Sequence, residues 1–591
     1  MKVKPFFSSL LPIRLLFRLT FILSCLGLIF LIYDFGYTQT ETLQNLVNGF
    51  YFLVLASGIV TTILRYVLRR KGIRWQVIIF DLLSILLTVN VVLIHFFSQE
   101  ANRHLSFLYD DNWIKYVILL TFIREFAEQN VSYKKTFLNP AQLFIVSFLG
   151  IIFIGTFLLM LPKATYEGLS FIDAFFTSTS AVCVTGLAVV DTGSYFTQFG
   201  QVILLILIQL GGLGILTFAS YFSYFFKGGA TYENQLVLSD MTNSQKIGDV
   251  FDTLKKIILI TFSIEFFGGI IIYLSLNPAL FSSFFERAFF AVFHSISAFC
   301  NAGFSTLSNS LYQEGFRFNY GLQLIITALF VLGGLGFPII ANVLKYLKHV
   351  IVNRLFRPKG EERLHIPWVL NINSRITLVT TVSLTVLGTI LFYINEYNNT
   401  LAEHHGLGKV VTALFGAATP RTAGFNNIDM GALNFSTIML LFFLMWIGAS
   451  PASTGGGIKT STFAIATLNF LSLAKGKDKI EVFRRQIADI SVKRAFATIS
   501  LSLVVIGMGI VLISIFDEDK TLLSIAFECF SAYSTVGLSV GITAALSLPS
   551  KAVIITVMFI GRVSMLTILI AIFKQVKHKN YRYPTEEITI N

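Results

Sequence analysis

Charge is what this sequence has least of. Only 13% of its 591 residues are Asp, Glu, Lys or Arg, against 54% hydrophobic residues and 60 Phe, so it lacks the polar surface a soluble domain needs to cover its core. Cysteine is scarce too: the four form no CxxC pair and no metal-ligand spacing, which argues against a disulfide framework or a zinc site. The eight His are scattered. There is no HExxH, no histidine pair for haem, no nucleophile elbow and no glycine-rich dinucleotide fingerprint in a βαβ unit. The chain is therefore expected not to be an enzyme and to carry no organic cofactor. Acidic residues are the minority sign, leaving a net charge of +13. The Lys and Arg sit in short clusters between apolar segments rather than in one patch, so the excess reads as the positive-inside bias and not as a nucleic-acid surface.

What the sequence has in abundance is long apolar runs. They lie at about 12–33, 46–68, 75–97, 113–124, 141–162, 198–226, 254–276, 319–345, 373–394, 434–472 (interrupted), 494–516 and 550–573, most of them long enough to cross a bilayer of about 30 Å. The start, Met1-Lys2-Val3-Lys4, leads into the first run without a small-residue cleavage site, so the first helix is expected to be retained. With the N-terminus inside, the clusters Arg65–Arg74, Lys134-Lys135, Lys246 with Lys255-Lys256, Lys345–Arg363, Lys475–Arg494 and Lys574–Lys579 all fall inside. Asp34, Asp110, Asp111, Asp191, Glu396 and Asp517–Asp519 then fall outside. The marginal run at 113–124 must be a crossing, because removing it would invert every later loop.

Four times an apolar, aromatic run ends in a glycine-centred segment: Ser180–Leu187, Ser297–Phe304, Ala418–Phe425 and Ser531–Leu538. The central glycines, Gly186, Gly303, Gly424 and Gly537, recur about 117, 121 and 113 residues apart, a regularity that marks an internal repeat. Each copy reads as helix, short re-entrant helix, glycine loop, helix. The short pieces, about 171–183, 286–300, 405–419 and 522–533, can go only halfway into the membrane and must return as the loop. Non-helical backbone at that depth is tolerated where it lines a water-filled path, and four such loops around one axis offer rings of carbonyl oxygens to a dehydrated ion. The short helices aim their negative ends at the same spot, which favours a cation.

These segments resemble the four degenerate selectivity filters of the Trk/Ktr/HKT superfamily of potassium transporters, over about residues 138–580. The likeness extends to Gly-Gly-Leu-Gly at 211–214 and 333–336, and to the stretch Gly448-Ala-Ser-Pro-Ala-Ser-Thr-Gly-Gly-Gly-Ile-Lys459-Thr460. The resemblance implies K⁺ uptake, with ion-binding positions at Val184, Thr185, Gly186 and Leu187; Asn301, Ala302, Gly303 and Phe304; Thr422, Ala423, Gly424 and Phe425; and Thr535, Val536, Gly537 and Leu538. Glycine at all four centres goes with K⁺ in that superfamily, with Na⁺ permeation still open. The resemblance also makes the third stretch an intramembrane gating loop containing Gly448, Ser450, Pro451, Ser453, Thr454, Gly455, Gly456, Gly457 and Lys459. Proline and a glycine triplet cannot continue a lipid-exposed helix. A phosphate-binding reading of Thr454–Thr460 fails because Ile458 separates Gly457 from Lys459.

Aligning the second helices on Gly211, Gly333, Gly448 and Gly561 sets Arg562 against Gly212, Gly334 and Ala449. An arginine in an apolar span must face water or a partner. It is expected beneath the filter, where it repels cations or anchors the gating loop; a structural arginine between helices is the alternative. Arg421 stands where the other copies have Cys183, Cys300 and Ser534, and is expected to point behind its loop toward Glu528.

The expected architecture is an all-α polytopic membrane protein. A four-helix N-terminal module at 1–137 precedes pore repeats at 138–228, 229–350, 351–476 (with the gating loop) and 477–591 (with a short tail). The module resembles the S2–S3 part of voltage-sensor domains, yet its fourth helix offers only Lys115 and Arg124, so it is expected to be a degenerate, structural version. The resemblance further implies a homodimer in the bacterial cytoplasmic (inner) membrane, resting on a cytoplasmic ring of nucleotide-binding regulatory subunits, with membrane lipid around it and no nucleic acid. The competing class is an ion-coupled secondary transporter, for which Asp81, Glu265 and Glu528 are the few intramembrane acids; none recurs between repeats.

Overall fold

In hydrocarbon every peptide group must find its partner within its own segment, so apolar runs of this length become helices. The computed structural model describes residues 10–68, 75–97, 112–128, 140–214, 250–355 and 370–573, and is helical but for loops and one short hairpin, β1 (Glu481–Val482) with β2 (Arg485–Gln486). The ends of the predicted run at 198–226 and the clusters at 69–74, 134–135 and beyond 573 lie outside the described residues.

The first four helices, α1 (Leu10–Gly36), α2 (Glu41–Leu68), α3 (Trp75–Phe97) and α4 (Asn112–Glu128), pack against one another. Their apolar core includes Val47, Tyr51, Val54, Val117 and Ile118. Within it lie buried ion pairs: Arg65 Nη2 to Glu125 Oε2 at 2.5 Å and Arg124 Nε to Asp81 Oδ1 at 2.6 Å. Tyr66 also donates to Asp81 at 2.8 Å, and Lys115 meets Asp34 at 3.2 Å. On α4 the neighbouring charges of Arg124 and Glu125 oppose each other. The C-terminal end of α1 touches the segment that follows: Lys163 N donates to Gly36 O at 3.1 Å, and the Phe35 ring lies 5.9 Å from that of Phe199.

The rest of the chain repeats one unit four times. The first is α5 (Pro140–Leu159), α6 (Phe171–Val182) and α7 (Gln198–Leu213); the second is α8 (Val250–Ser275), α9 (Phe284–Phe299), α10 (Tyr320–Leu335) and α11 (Phe337–Leu355). The third is α12 (Ile372–Glu396), α13 (Leu407–Ala418), α14 (Phe435–Trp446) and α15 (Thr460–Ala474); the fourth is α16 (Asp489–Phe516), α17 (Leu522–Tyr533), α18 (Leu548–Val563) and α19 (Met565–Ile572). The short helices α6, α9, α13 and α17 have 12, 16, 12 and 12 residues, or roughly 18–24 Å at 1.5 Å per residue, too short to span. Two begin at capping boxes written in the sequence: Ser170 Oγ accepts from Asp173 N, and Ser283 Oγ from Glu286 N, with a carboxylate three residues on. Contacts between units run in a circle: α7 packs on α9, α10 on α13, α14 on α17, and α18 back on α6.

The second helices differ from expectation. The run at 319–345 is not one crossing: it breaks at Gly336 (φ +85°), and α10 and α11 meet at 105°. The run at 550–573 breaks at Ser564 (φ +74°), with a bend of 85°. In the first unit α7 ends at Gly214 (φ +79°). Each of these residues lies three beyond the glycine on which the helices align, so the last Gly of Gly-Gly-Leu-Gly is a left-handed helix stop that Ser564 reproduces at the cost of backbone strain. Interruption is a property of every repeat, and the third differs in its length.

Removing one partner of a buried ion pair costs about 3–5 kcal/mol, while replacing both with apolar residues of similar size is often neutral. Asp81→Asn should therefore lower the melting temperature of the purified protein in detergent, and Asp81→Leu with Arg124→Met should recover most of the loss. Equal destabilisation by the single and double changes would show that the pair is not the stabilising unit.

Candidate functional site

The four glycine loops meet at one place. A Cβ added to Gly186 would collide with the Ala302 carbonyl, one on Gly303 with that of Ala423, one on Gly424 with that of Val536, and one on Gly537 with that of Thr185. Each glycine thus lies against the residue preceding the next repeat's glycine, and the fourth closes on the first. All four are left-handed, with φ of +90°, +70°, +77° and +94°. So are the residues two positions earlier: Val184 (+57°), Asn301 (+59°), Thr422 (+79°) and Thr535 (+50°). L-residues enter this region at a cost, and its recurrence in all four copies marks a backbone shape the site requires.

The N–H groups of these segments turn back onto the short helices. Val184 N bonds Ala181 O and Thr185 N bonds Ser180 O; the same pair of bonds recurs from Asn301 and Ala302 and from Thr535 and Val536. Among the described residues no hydrogen bond ends on the carbonyl oxygens of 184–186, 301–303, 422–424 or 535–537. The residues before the glycines are buried, while Gly186, Gly303 and Gly537 are half-buried and line a cavity with Gly424.

The residues next in line, Leu187, Phe304, Phe425 and Leu538, pack their side chains away from the ring. All four are buried, and each inserts into the hydrophobic core of a neighbouring repeat: Phe304 into that of the first, Phe425 the second, Leu538 the third, Leu187 the fourth. The Phe304 and Phe425 carbonyls accept from Ser297 Oγ at 2.7 Å and Thr419 Oγ1 at 2.6 Å. They are anchors for the loop. On one side the ring opens into a cavity of about 550 Å³ that Asp191 and Asp429 help to line.

On the opposite side the ring is covered by the segment joining α14 and α15. Gly456 N donates to Thr535 Oγ1 at 2.8 Å, and Thr454 Oγ1 lies 3.3 Å from Asn301 Oδ1. A Cβ on Gly455 would strike Thr422. The segment therefore touches the glycine loops of three repeats. Ser450 N bonds Gly334 O at 2.9 Å, Ser453 Oγ bonds Ser450 O at 2.6 Å, and the Pro451 carbonyl lies where a Cβ on Gly336 would fall, 2.7 Å away. Lys459 Nζ folds back on the Gly455 carbonyl at 2.7 Å. Arg562 donates to Thr454 O and, at 2.6 Å, to Gly211 O. Of the roles open to this arginine, the contacts fit the anchoring of the loop.

The aligned glycines explain how the short helices reach the centre. A Cβ on Gly211, Gly333 or Gly561 would collide with the carbonyl of Val182, Phe299 or Tyr533, the last residue of the adjoining short helix; one on Gly448 would meet Gly456 O instead. The third repeat has substituted its own loop for that contact. Its short helix also stops early, at Ala418, ahead of Pro420, whose ring excludes further helix.

The expected pairing of Arg421 with Glu528 is not formed. Arg421 does point behind its loop, but Nη1 donates to Thr381 O at 3.2 Å and lies 3.4 Å from Thr385 Oγ1 on α12. Glu528 accepts from Ser539 Oγ and, at 3.0 Å, from Thr543 Oγ1. The early end of α13 displaces Arg421 from the line of Cys183, Cys300 and Ser534, so a charge match along that line misplaces it. The cross-loop bond from Asn301 Nδ2 to Thr422 Oγ1 at 2.9 Å has no counterpart in the sequence pattern. Of the serines that open three of the four segments, Ser297 and Ser531 bond their loops through the hydroxyl; Ser180 has no such bond among the described residues, and in the third repeat Thr419 bonds Phe425 O.

A profile of the TrkH family, described as cation transport protein, matches residues 112–582. The chain is 37% identical over 452 residues to the Ktr system potassium uptake protein B of Bacillus subtilis, covering 76% of this chain and 96% of that protein. It is 34% identical over 462 residues to the potassium/sodium uptake protein NtpJ of Enterococcus hirae, covering 77% and 97%. Its fold is similar to that of the potassium transporter TrkH from Vibrio parahaemolyticus, with a TM-score of 0.59 at 17% identity over 84% of this chain and 97% of that one.

The glycine contacts separate positions by space alone. Gly561→Ala should lower the melting temperature by several degrees, because its Cβ meets backbone of α17. Gly507→Ala, on α16 with nothing within 4 Å of the added carbon, should leave it unchanged or raise it, as alanine is the better helix former by about 0.5–1 kcal/mol. Similar effects at both positions would refute the close approach.

Proposed function

We propose potassium uptake across a membrane as the function of this chain, which belongs to the TrkH family of cation transport proteins. The observation that carries this reading is the closed ring of four glycine loops whose carbonyls are left without protein donors. Replacing an ion's hydration shell with such oxygens is the means by which a pore passes a dehydrated cation and rejects others. The filter positions are then Val184–Leu187, Asn301–Phe304, Thr422–Phe425 and Thr535–Leu538, with the carbonyls up to each glycine free of protein donors among the described residues. The name of NtpJ, a potassium/sodium uptake protein, keeps sodium as a second permeant ion. An ion-coupled mechanism is the alternative.

In this reading the segment Gly448–Lys459 is the gate, and the structure corresponds to its closed position, with Arg562 as the latch. The ring of acceptors above is continuous with the outer cavity, and the Asp191 and Asp429 carboxylates raise the local cation concentration there. The protein would lie in a bacterial cytoplasmic membrane with its N-terminus inside, as a homodimer working with a cytoplasmic nucleotide-binding ring; the Ktr system relatives support a regulatory partner. Residues 1–137 would form a structural module. Its fourth helix carries opposed charges at Arg124 and Glu125, too little net charge to drive opening at about 2.3 kcal/mol per charge per 100 mV.

Radioactive Rb⁺ and Na⁺ uptake into proteoliposomes under an imposed potential tests the assignment. The native chain should prefer Rb⁺, and Gly186→Ser should lose that preference, since a side chain there collides with the Ala302 carbonyl. Native uptake without ionic preference, or unchanged preference in the variant, would contradict filter selection. Arg562→Gln removes charge-assisted hydrogen bonds worth about 1.5–3 kcal/mol each and should raise Rb⁺ flux by about tenfold or more; flux at or below native would make the arginine a structural element.

A further inference from the structure

Glu528 and His294 are buried ionisable side chains on short helices, outside the filter segments, and neither has an opposite charge as its partner. Their places in the repeat are the same. Each stands nine residues before its filter glycine, Glu528 before Gly537 on α17 and His294 before Gly303 on α9. Each bonds the serine two residues beyond that glycine: Ser539 Oγ donates to Glu528 Oε1, and Ser305 Oγ lies 2.8 Å from His294 Nε2.

The surrounding bonds match as well. Ser539 Oγ accepts from Gly541 N at 2.9 Å, and Ser305 Oγ accepts from Leu307 N at 3.0 Å, so both hydroxyls cap a turn of the outer loop. His294 Nδ1 lies 2.9 Å from Phe290 O, a group that only accepts. Nδ1 therefore carries the proton, Nε2 is the acceptor, and Ser305 donates to it. An acid and a base thus present the same thing, a buried acceptor for the hydroxyl just past the filter.

The other two repeats lack the bond. The first has Thr177 and Ala188 at these positions, and the Thr177 hydroxyl is buried with no partner in the structure. The third has Phe415 and Asn426. The contact therefore exists in repeats 2 and 4, which face each other across the ring.

We infer that Glu528 and His294 are a diagonal pair of positioning residues, which pin the serines beyond Gly537 and Gly303 and so fix the filter carbonyls that distinguish K⁺ from Na⁺. A carbonyl ring selects by the number and direction of its dipoles. Two opposed loops held from behind fix one diagonal of the ring while the other keeps more freedom. The inference rests on the potassium-uptake reading.

The test is the ratio of Rb⁺ to Na⁺ uptake in proteoliposomes of the full chain, with folded yield followed by size-exclusion chromatography. Ser539→Ala and Ser305→Ala remove the donor with the least change of volume and should each lower the ratio by about tenfold, equivalent to about 1.4 kcal/mol of differential ion binding. Glu528→Ala should lower it at least as far, since it removes the Thr543 bond as well, and the double variant with Ser539→Ala should fall short of the sum of the two because they share the Ser539–Glu528 bond. Glu528→Gln keeps an acceptor and should retain the native ratio, which a purely structural role would not distinguish from alanine by selectivity. Thr177→Val, which removes the unpartnered hydroxyl of repeat 1, should leave the ratio unchanged. If the native chain prefers Rb⁺ and the folded serine variants keep that preference, the positioning role is wrong while the uptake reading stands. A native chain with no preference overturns both.

Discussion

The close approach of backbone to backbone at the four glycines is the constraint on which the rest depends. A side chain at any one of them would push a loop away from its neighbour, and a ring closed by four contacts cannot lose one without opening. The same demand recurs one layer back, where Gly211, Gly333 and Gly561 let the second helices touch the ends of the short helices. Small residues at these places are geometry rather than weak helix propensity: they set how near the carbonyl ends can come to the axis, and hence how strongly their dipoles act there.

The strain this shape requires is held by its surroundings. Left-handed Val184, Asn301 and Thr535 are held by bonds onto their own short helices, all four loops by the side chains just beyond each glycine, and Asn301, Thr422 and Thr535 also by the loop from Gly448 to Lys459. That loop uses backbone and hydroxyl groups almost throughout. Its one full charge from outside, Arg562, lands on carbonyls rather than on a carboxylate, so the contact can be released without leaving an anion buried.

Most of this architecture is legible in the sequence, because the features that repeat are those the geometry forces. The glycine spacing locates the four loops that meet, apolar length locates the short helices, and the proline with its glycine triplet locates the segment that covers them. The illegible parts arise from features that do not repeat. Alignment assigns Arg421 a partner on α17, and the helix stop before Pro420 moves it to α12. Breaks at Gly336 and Ser564 are hidden because the flanking residues are as apolar as those of a straight span, and only the left-handed backbone reveals them. The likeness of His294 and Glu528 is hidden because one is a base and the other an acid, while the property they share, accepting a bond from a serine eleven residues on, is a property of the fold.

The anchors beyond the filter glycines have a consequence for biosynthesis. Phe304, Phe425 and Leu538 each complete the core of the repeat made before their own, whereas Leu187 is made in the first repeat and completes the core of the last. During synthesis each of the first three repeats waits for the one after it, and the first must hold Leu187 uncovered until the final helices have left the ribosome. A chain truncated before α18 would therefore leave Leu187 in the first repeat uncovered as well as the last repeat unfinished, a defect at both ends of the ring at once.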